Sequence, residues 1–370
     1  MAGNWWLGRR GGPGGHGLGG HGLGGHKGRP YGWLLFLILL LANCGTDPPG
    51  GSVPLSPHHT LVFLDSLAAA EAISRDEAEG FFERIQPLDM AIQMGLPLPE
   101  AAQREAMLPA YREFLRADVV GFEPKERQLL QRAFRIALER CQPFRPDFFP
   151  DTVFLIKTLG RHYGPSVYYT RERSIVIPQN ELAQRDAETL AQVMLHELFH
   201  LFSRREPQQR EQLYGLLGFQ RLSQPVELPA CLQQRQVLNP DGMADAYALP
   251  LEAPDGTTSL TLPLLLADTF AYLPGRAYFD YLDLQLFPLQ AAAGNWSVAT
   301  SASCRSPLPP PEYLPAFWER VGDNTAYIIH PDEILADNFV LLTQSSEDLR
   351  RQRISARGKA ILEELGRVLK

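Results

Sequence analysis

Cysteine is scarce, basic runs are missing, and no apolar stretch is long enough to cross a bilayer. Four cysteines in 370 residues exclude a small disulfide-stapled scaffold. Spacings of 90 and 73 between Cys141, Cys231 and Cys304 match no zinc knuckle. The first 43 residues hold four basic side chains and no acidic one, leaving 31 basic against 42 acidic residues in the rest, a net of −11. That body has no basic run to meet a phosphate backbone, which argues against nucleic acid as a partner. The longest apolar run, 33–42, has ten residues, whereas a spanning helix needs roughly 20. What is present is globular: 45% hydrophobic and 21% charged, enough for one large domain or two ordinary ones.

Residues 1–32 are Gly-rich and basic, with His16, His21 and His26 in a five-residue repeat that reads as a low-complexity extension. The apolar run follows, then Asn43, Cys44 and Gly45. A positive start, a short apolar centre and small residues after it make a secretory signal. Leu41-Ala42-Asn43-Cys44 resembles a bacterial lipobox, with Asn43 where that box carries Gly, Ala or Ser. The resemblance implies a lipid on Cys44 and a membrane-anchored lipoprotein of the cell envelope, with ordinary secretion as the alternative. Outside the cytosol, Cys141, Cys231 and Cys304 can form one disulfide and leave an odd thiol. Spacing does not choose the pair.

Residues 44–59 are rich in Pro and Gly and form a flexible tether after the 1–43 signal segment. Over 60–150 apolar residues recur every three or four positions, which predicts a helical N-terminal part. The 151–178 stretch turns to short β-branched and aromatic runs separated by Gly-rich or charged turns, which predicts strands. Helix returns from Asp186, a suitable N-cap, to about Gly218. A β-rich insertion covers about 244–320, with a hairpin expected at Pro254-Asp255-Gly256, and a last helical block starts near Pro331.

The chemistry sits in Thr189-Leu-Ala-Gln-Val-Met-Leu-His196-Glu197-Leu-Phe-His200. His196 and His200 are four apart, so on a helix both imidazoles leave one face and can grip one cation. Glu197, beside the first, can take a proton from an attacking water. The surrounding residues are apolar, and two histidines and a glutamate on a buried helix are costly unless paired or liganded. The competing account is two core histidines that happen to be four apart.

A catalytic zinc needs three protein ligands and an open position. The metzincin pattern would put Gly at 203 and His at 206, but Ser203 and Glu206 stand there. Glu206 reads as part of a solvated helix end, and Glu227 lies in a Pro-bounded extended stretch. Glu333 starts a helix after Pro331, with Asp337 one turn later on the same face. A Glu ligand followed by an Asp aimed at a ligand His is an arrangement that zinc sites use.

H-E-x-x-H on one helix and E-x-x-x-D on a later one resembles the gluzincins, the thermolysin-like clan of zinc peptidases. The resemblance covers about 150–205 and 325–345. It implies Zn²⁺ on His196, His200 and Glu333, Glu197 as general base, and Asp337 orienting His196. It implies an α+β zincin-like fold: the His196 helix packed on a small, mostly antiparallel sheet, and an edge strand at 166–170 or Ser174–Pro178 that pairs with a peptide substrate. Gluzincins stabilise the developing oxyanion with Tyr or His. Tyr327 and His330, just before the Glu333 helix, occupy that place, with Tyr214 behind them. For each the competing role is a packed aromatic or a helix cap. Two features depart from the clan. One hundred and thirty-two residues separate His200 from Glu333, and Gly242-Met243-Ala244-Asp245 lacks the Glu-Asn of the aminopeptidase G-x-M-E-N strand, which disfavours an exopeptidase of that kind.

The expected function is a zinc metalloendopeptidase acting on protein or peptide. The alternatives are a non-catalytic zincin-fold lipoprotein with a binding or assembly role, and a zinc hydrolase of cell-wall material. An intact Glu197 favours an enzyme, since a binding module has no use for a general base.

Overall fold

The computed structural model describes residues 51–99, 103–241, 246–292, 294–345 and 353–370. The signal segment, Cys44 and residues 242–245 lie outside them. Strand β1 (Ser52–Pro54), inside the stretch read as a tether, pairs antiparallel with β2 (Thr60–Phe63), which stands where a helical start was expected. The alternation in Thr-Leu-Val-Phe explains the difference: Leu61 and Phe63 are fully buried while Thr60 and Val62 are not, which is period two. Helices begin with α1 (Ser66–Ile73), whose N-cap Asp65 accepts from the Ala68 amide. They continue through α2 (Phe81–Arg84), α3 (Pro87–Met94) and α4 (Arg104–Arg116). After the short strand β3 (Val119–Val120) comes α5 (Pro124–Cys141), opened by a Glu123/Glu126 capping box.

Strands β4 (Thr152–Thr158), β5 (Tyr169–Arg171) and β6 (Ser174–Pro178) complete a six-stranded sheet of order β1-β2-β4-β6-β5, with β3 beside β4. This sheet is mixed, not mostly antiparallel. Its centre, β2, β4 and β6, is parallel, and β1, β3 and β5 pair antiparallel around it. Burial on both faces is the reason. Val153, Leu155, Ile175 and Ile177 face a core shared with α5, while Ile156 and Val176 face the α1–α4 core. Strands covered on both sides by helices are apolar almost throughout and accept parallel pairing through long crossovers. The 60–150 part therefore shares one sheet with the strands that precede the His196 helix.

Short helix α6 (Gln179–Gln184) precedes α7 (Ala187–Arg205), and α8 (Pro207–Leu216) follows it. The expected cap is present: the Asp186 side chain accepts from the Thr189 amide at 2.8 Å. A second six-stranded sheet, order β7-β9-β10-β11-β12-β8, comprises β7 (Gln220–Arg221), β8 (Val226–Glu227), β9 (Tyr247–Glu252), β10 (Thr258–Ala267), β11 (Leu282–Ala292) and β12 (Asn295–Val298). The β9–β10 hairpin turns at Asp255-Gly256, where Gly256 has φ +83°, a conformation glycine adopts without steric cost. Helix α9 (Ala230–Arg235), between β8 and β9, is tied by a Cys231–Cys304 disulfide to the loop after β12, leaving Cys141 as a buried free thiol. Helices α10 (Pro315–Val321), α11 (Pro331–Leu342) and α12 (Ala356–Val368) end the chain, and α11 packs along α7. The whole is α+β. No described helix is long and apolar enough to cross a membrane.

Candidate metal centre

Helices α7 and α11 bring the site together. Leu190, Met194, Leu198, Phe199 and Phe202 bury one side of α7 completely, and Phe339 of α11 packs on Phe199 with ring centroids 5.9 Å apart. That packing fixes the register between the helices and sets Glu333 against the two histidines. His196 Nε2 lies 3.1 Å from Glu333 Oε2, and His200 Nε2 lies 3.4 Å from the same oxygen. Ligand atoms of His196, His200 and Glu333 all fall within 4.8 Å of one another. The residues can hold a metal ion.

The far nitrogens are held as well. His196 Nδ1 is 3.0 Å from Asp337 Oδ1, and Thr325 Oγ1 donates to the other oxygen of Asp337. His200 Nδ1 is 2.5 Å from Asp332 Oδ2. Asp332 is fully buried, and its Oδ1 accepts from Ser203 Oγ at 2.5 Å and Tyr214 Oη at 2.9 Å. With Nδ1–H donating to carboxylate on both rings, each Nε2 is the nitrogen left for a cation. Asn239 Nδ2 donates to Glu333 Oε1 at 2.8 Å, which turns Oε2 toward the imidazoles.

Within the site, two buried atoms have no hydrogen-bond partner among the described residues: His200 Nε2 and Glu197 Oε2. An imidazole nitrogen without a hydrogen bond, beside a carboxylate shared by two rings, is a donor set that a cation would satisfy. Electrostatics agree. Burial pulls the His196 pKa down, but its bonds to Asp337 and Glu333 outweigh this and lift it to about 10. Burial and the neighbouring Asp241 push Glu197 up to about 8, against the pull of His196 and His200. Glu333 is held well below the usual carboxylate range, since the two imidazoles overcome the upward push of its burial.

A pocket of about 150 Å³ opens onto His196, Glu197 and Glu333, with Tyr327, Tyr168 and Asp241 in its walls. Tyr327 lies over His196 at 6.4 Å between ring centroids and 28° between planes. Its burial raises the phenol pKa well above 10, so it stays a hydrogen-bond donor. His330 does not line this pocket. Its Nδ1 accepts from the Asp332 amide at 3.2 Å, making it the N-cap of α11, and its ring packs against Tyr214 at 5.8 Å. Tyr214 is likewise committed, to Asp332. Glu206 is the C-cap of α7 with Arg205 3.6 Å away, and Glu227 accepts from Asn295, so neither converges on the histidines.

Four residues of the site escaped sequence reasoning. Asp332 reads as one more acid in a helix first turn, Thr325 as part of a loop, and Asn239 and Asp241 as a turn before β9. Distant contacts reveal them: the pairing of α7 with α11 for Asp332 and Thr325, Glu333 for Asn239, and Thr170 of β5 for Asp241. The buried setting of Asp332 makes a testable contrast. Asp332→Asn and Asp337→Asn should each lower zinc affinity by about 10–100-fold, the usual effect of losing an outer partner of a ligand. Asp332→Asn should also lower the melting temperature more, because a fully buried cluster loses its charge-assisted bonds. Competition with a chelating dye and a thermal melt measure both. Equal melting of the two variants would count against the role given to Asp332.

No protein-family model matches the chain, and no curated protein or solved structure matches it.

Proposed function

We propose that the protein is an exported, zinc-dependent peptide-bond hydrolase with a gluzincin-like site in a zincin-like fold. The observation that carries this reading is the convergence of His196 Nε2, His200 Nε2 and Glu333 Oε2, with the unpartnered Glu197 Oε2 in the same pocket. Two imidazoles and one carboxylate are a donor set that suits zinc and leaves a fourth position open. His196, His200 and Glu333 would hold the ion. Bound there, zinc supplies a Lewis acid that polarises the scissile carbonyl and acidifies water.

The chain's own residues have separable tasks. Glu197 takes the proton of the attacking water and returns it to the leaving amine. Asp337 and Asp332 keep the imidazoles in the tautomer that presents Nε2. Tyr327 donates to the carbonyl oxygen as charge develops on it, replacing the Tyr327/His330 pair anticipated from sequence. Residues 166–168, in the pocket wall just before edge strand β5, offer backbone groups to an extended peptide. Placement outside the cytosol, with a lipid on Cys44, belongs to the same reading and rests on the sequence alone.

The test is metal analysis of the purified protein followed by cleavage of casein and a quenched peptide. About one zinc per chain and hydrolysis abolished by a chelator are expected, with activity restored by added zinc. A protein that takes up no zinc when dialysed against it would sink the reading.

A further inference from the structure

Asp241 has no task in the chemistry above, yet it is built into the site. The residue is 7% exposed. Its Oδ1 accepts from both the amide and the hydroxyl of Thr170, each at 2.6 Å, which fixes the carboxylate against the edge strand. Its Oδ2 takes no hydrogen bond among the described residues. Asp241 lines the metal-site pocket and also a smaller recess of about 20 Å³, which share Val167, Tyr168 and Tyr327 as well. Beyond that common wall three aromatic residues, Tyr163, Tyr278 and Phe279, line the recess beside aliphatic ones such as Leu238, Leu265 and Ile329. Tyr163 and Tyr278 meet edge-on at 4.7 Å. The buried Oη of Tyr163 also has no hydrogen-bond partner among the described residues.

A carboxylate oxygen of a largely buried residue in the recess wall and a buried phenol oxygen can both accept from a donor. Aromatic rings around them favour a cationic one. The volume narrows the choice further: a recess near the size of one water takes an ammonium head but neither a guanidinium nor a trimethylammonium. We propose that this recess is a subsite for a primary ammonium group, with Asp241 Oδ2 as counter-ion and Tyr163 Oη as second acceptor. What the ammonium is attached to rests on the peptidase reading; the binding itself does not. Ligand atoms of Asp241, Glu197 and His200 lie within 4.8 Å of one another, a second group that could hold a metal ion, so a group bound at Asp241 sits close to the scissile bond. It is then either the N-terminal amine of a peptide or a lysine side chain beside the cut.

The test separates binding from turnover. The full chain is titrated with n-butylamine and, as neutral control, n-butanol, with NMR shifts of the tyrosine rings as readout. Wild type should bind the amine and not the alcohol, and Asp241→Asn should bind it at least about tenfold more weakly, the order expected for a hydrogen bond to a charged group. Tyr163→Phe, which removes one buried oxygen, should weaken it less. If Asp241→Asn does not fold, the Tyr163→Phe arm decides, and unchanged binding there overturns the proposal. Equal binding by wild type and Asp241→Asn, or none by either, means that ordered water fills the recess and also overturns it. So does a fall in zinc content in Asp241→Asn, because Asp241 would then be a ligand. With zinc-loaded enzyme, KM should rise roughly 10–100-fold when the peptide's ammonium is removed, and this sensitivity should vanish in Asp241→Asn. Acetylating the N-terminus and replacing lysine by norleucine tell the two sources apart. Should hydrolysis never be observed, the amine titration still stands or falls by itself.

Discussion

Glu333→Ala should lower zinc affinity by about a thousandfold or more, well beyond the ~10–100-fold expected for Asp337→Asn. The difference follows from position. Glu333 is 1% exposed and brings one oxygen toward both Nε2 atoms, whereas Asp337 touches only the far nitrogen of one ring. Removing the carboxylate leaves two imidazoles, and a two-ligand site holds zinc far more weakly than a three-ligand one. It also leaves Asn239 Nδ2 without its acceptor and the histidines without a buried counter-charge. Some loss of melting temperature should accompany the loss of metal. Glu333→Gln keeps the side-chain volume and should lose zinc comparably, which separates ligation from packing. Glu206→Ala serves as the control and should change neither quantity. Equilibrium dialysis with radiolabelled or dye-reported zinc measures the effect. Retention of wild-type affinity in both Glu333 variants would end the three-ligand assignment.

The same geometry dictates how zinc affinity depends on pH. Zinc requires a neutral imidazole, and Asp337 and Glu333 favour the charged form of His196 up to about pH 10. Each ion bound must therefore release a proton, and affinity should climb about tenfold per pH unit per proton displaced as pH rises toward that value. Folding is linked in the opposite sense without zinc. A histidine whose pKa is raised on folding contributes stability that is complete below its unfolded pKa and is lost as pH rises through the folded one.

The residues of the candidate metal site lay open in the sequence because they obey helix arithmetic. His196 and His200 share a face by spacing alone, Glu333 and Asp337 repeat that spacing, and Asp186 and Pro331 mark where the two helices start. What could not be read was everything fixed by a partner far along the chain. Thr60–Phe63 has too few residues to announce a strand; its register comes from β4, some ninety residues on. His330 had the right chemistry for an oxyanion donor, and only the entry of α11 shows its Nδ1 used as a cap. Asp332 and Asn239 hold the ligands through contacts 132 and 94 residues apart in sequence. Such pairs leave no local trace, so the first ligands of a site are legible where their supports are not.

Glu197→Gln should do the reverse of Glu333→Ala: zinc retained, hydrolysis lost. Glu197 stands outside the His196/His200/Glu333 convergence, although it forms a second close group with His200 and Asp241, and its Oε2 has no hydrogen-bond partner within the described residues to lose. The amide of Gln fills the same space but cannot take a proton. Losing a positioned base costs about 10²–10⁴-fold in rate, so kcat should fall by that amount at unchanged metal content. The pH profile carries the more specific signature. Burial and Asp241 set the Glu197 pKa at about 8, and a neighbouring divalent cation stabilises the carboxylate and lowers it. A base must be ionised to act, so wild-type kcat/KM should drop on the acid side with an apparent pKa below 8, and the residual activity of Glu197→Gln should lack that limb. A variant that keeps zinc and full activity would remove Glu197 from the mechanism, and one that loses zinc would make it a ligand. Metal analysis and a pH–rate profile on the same preparation separate these outcomes.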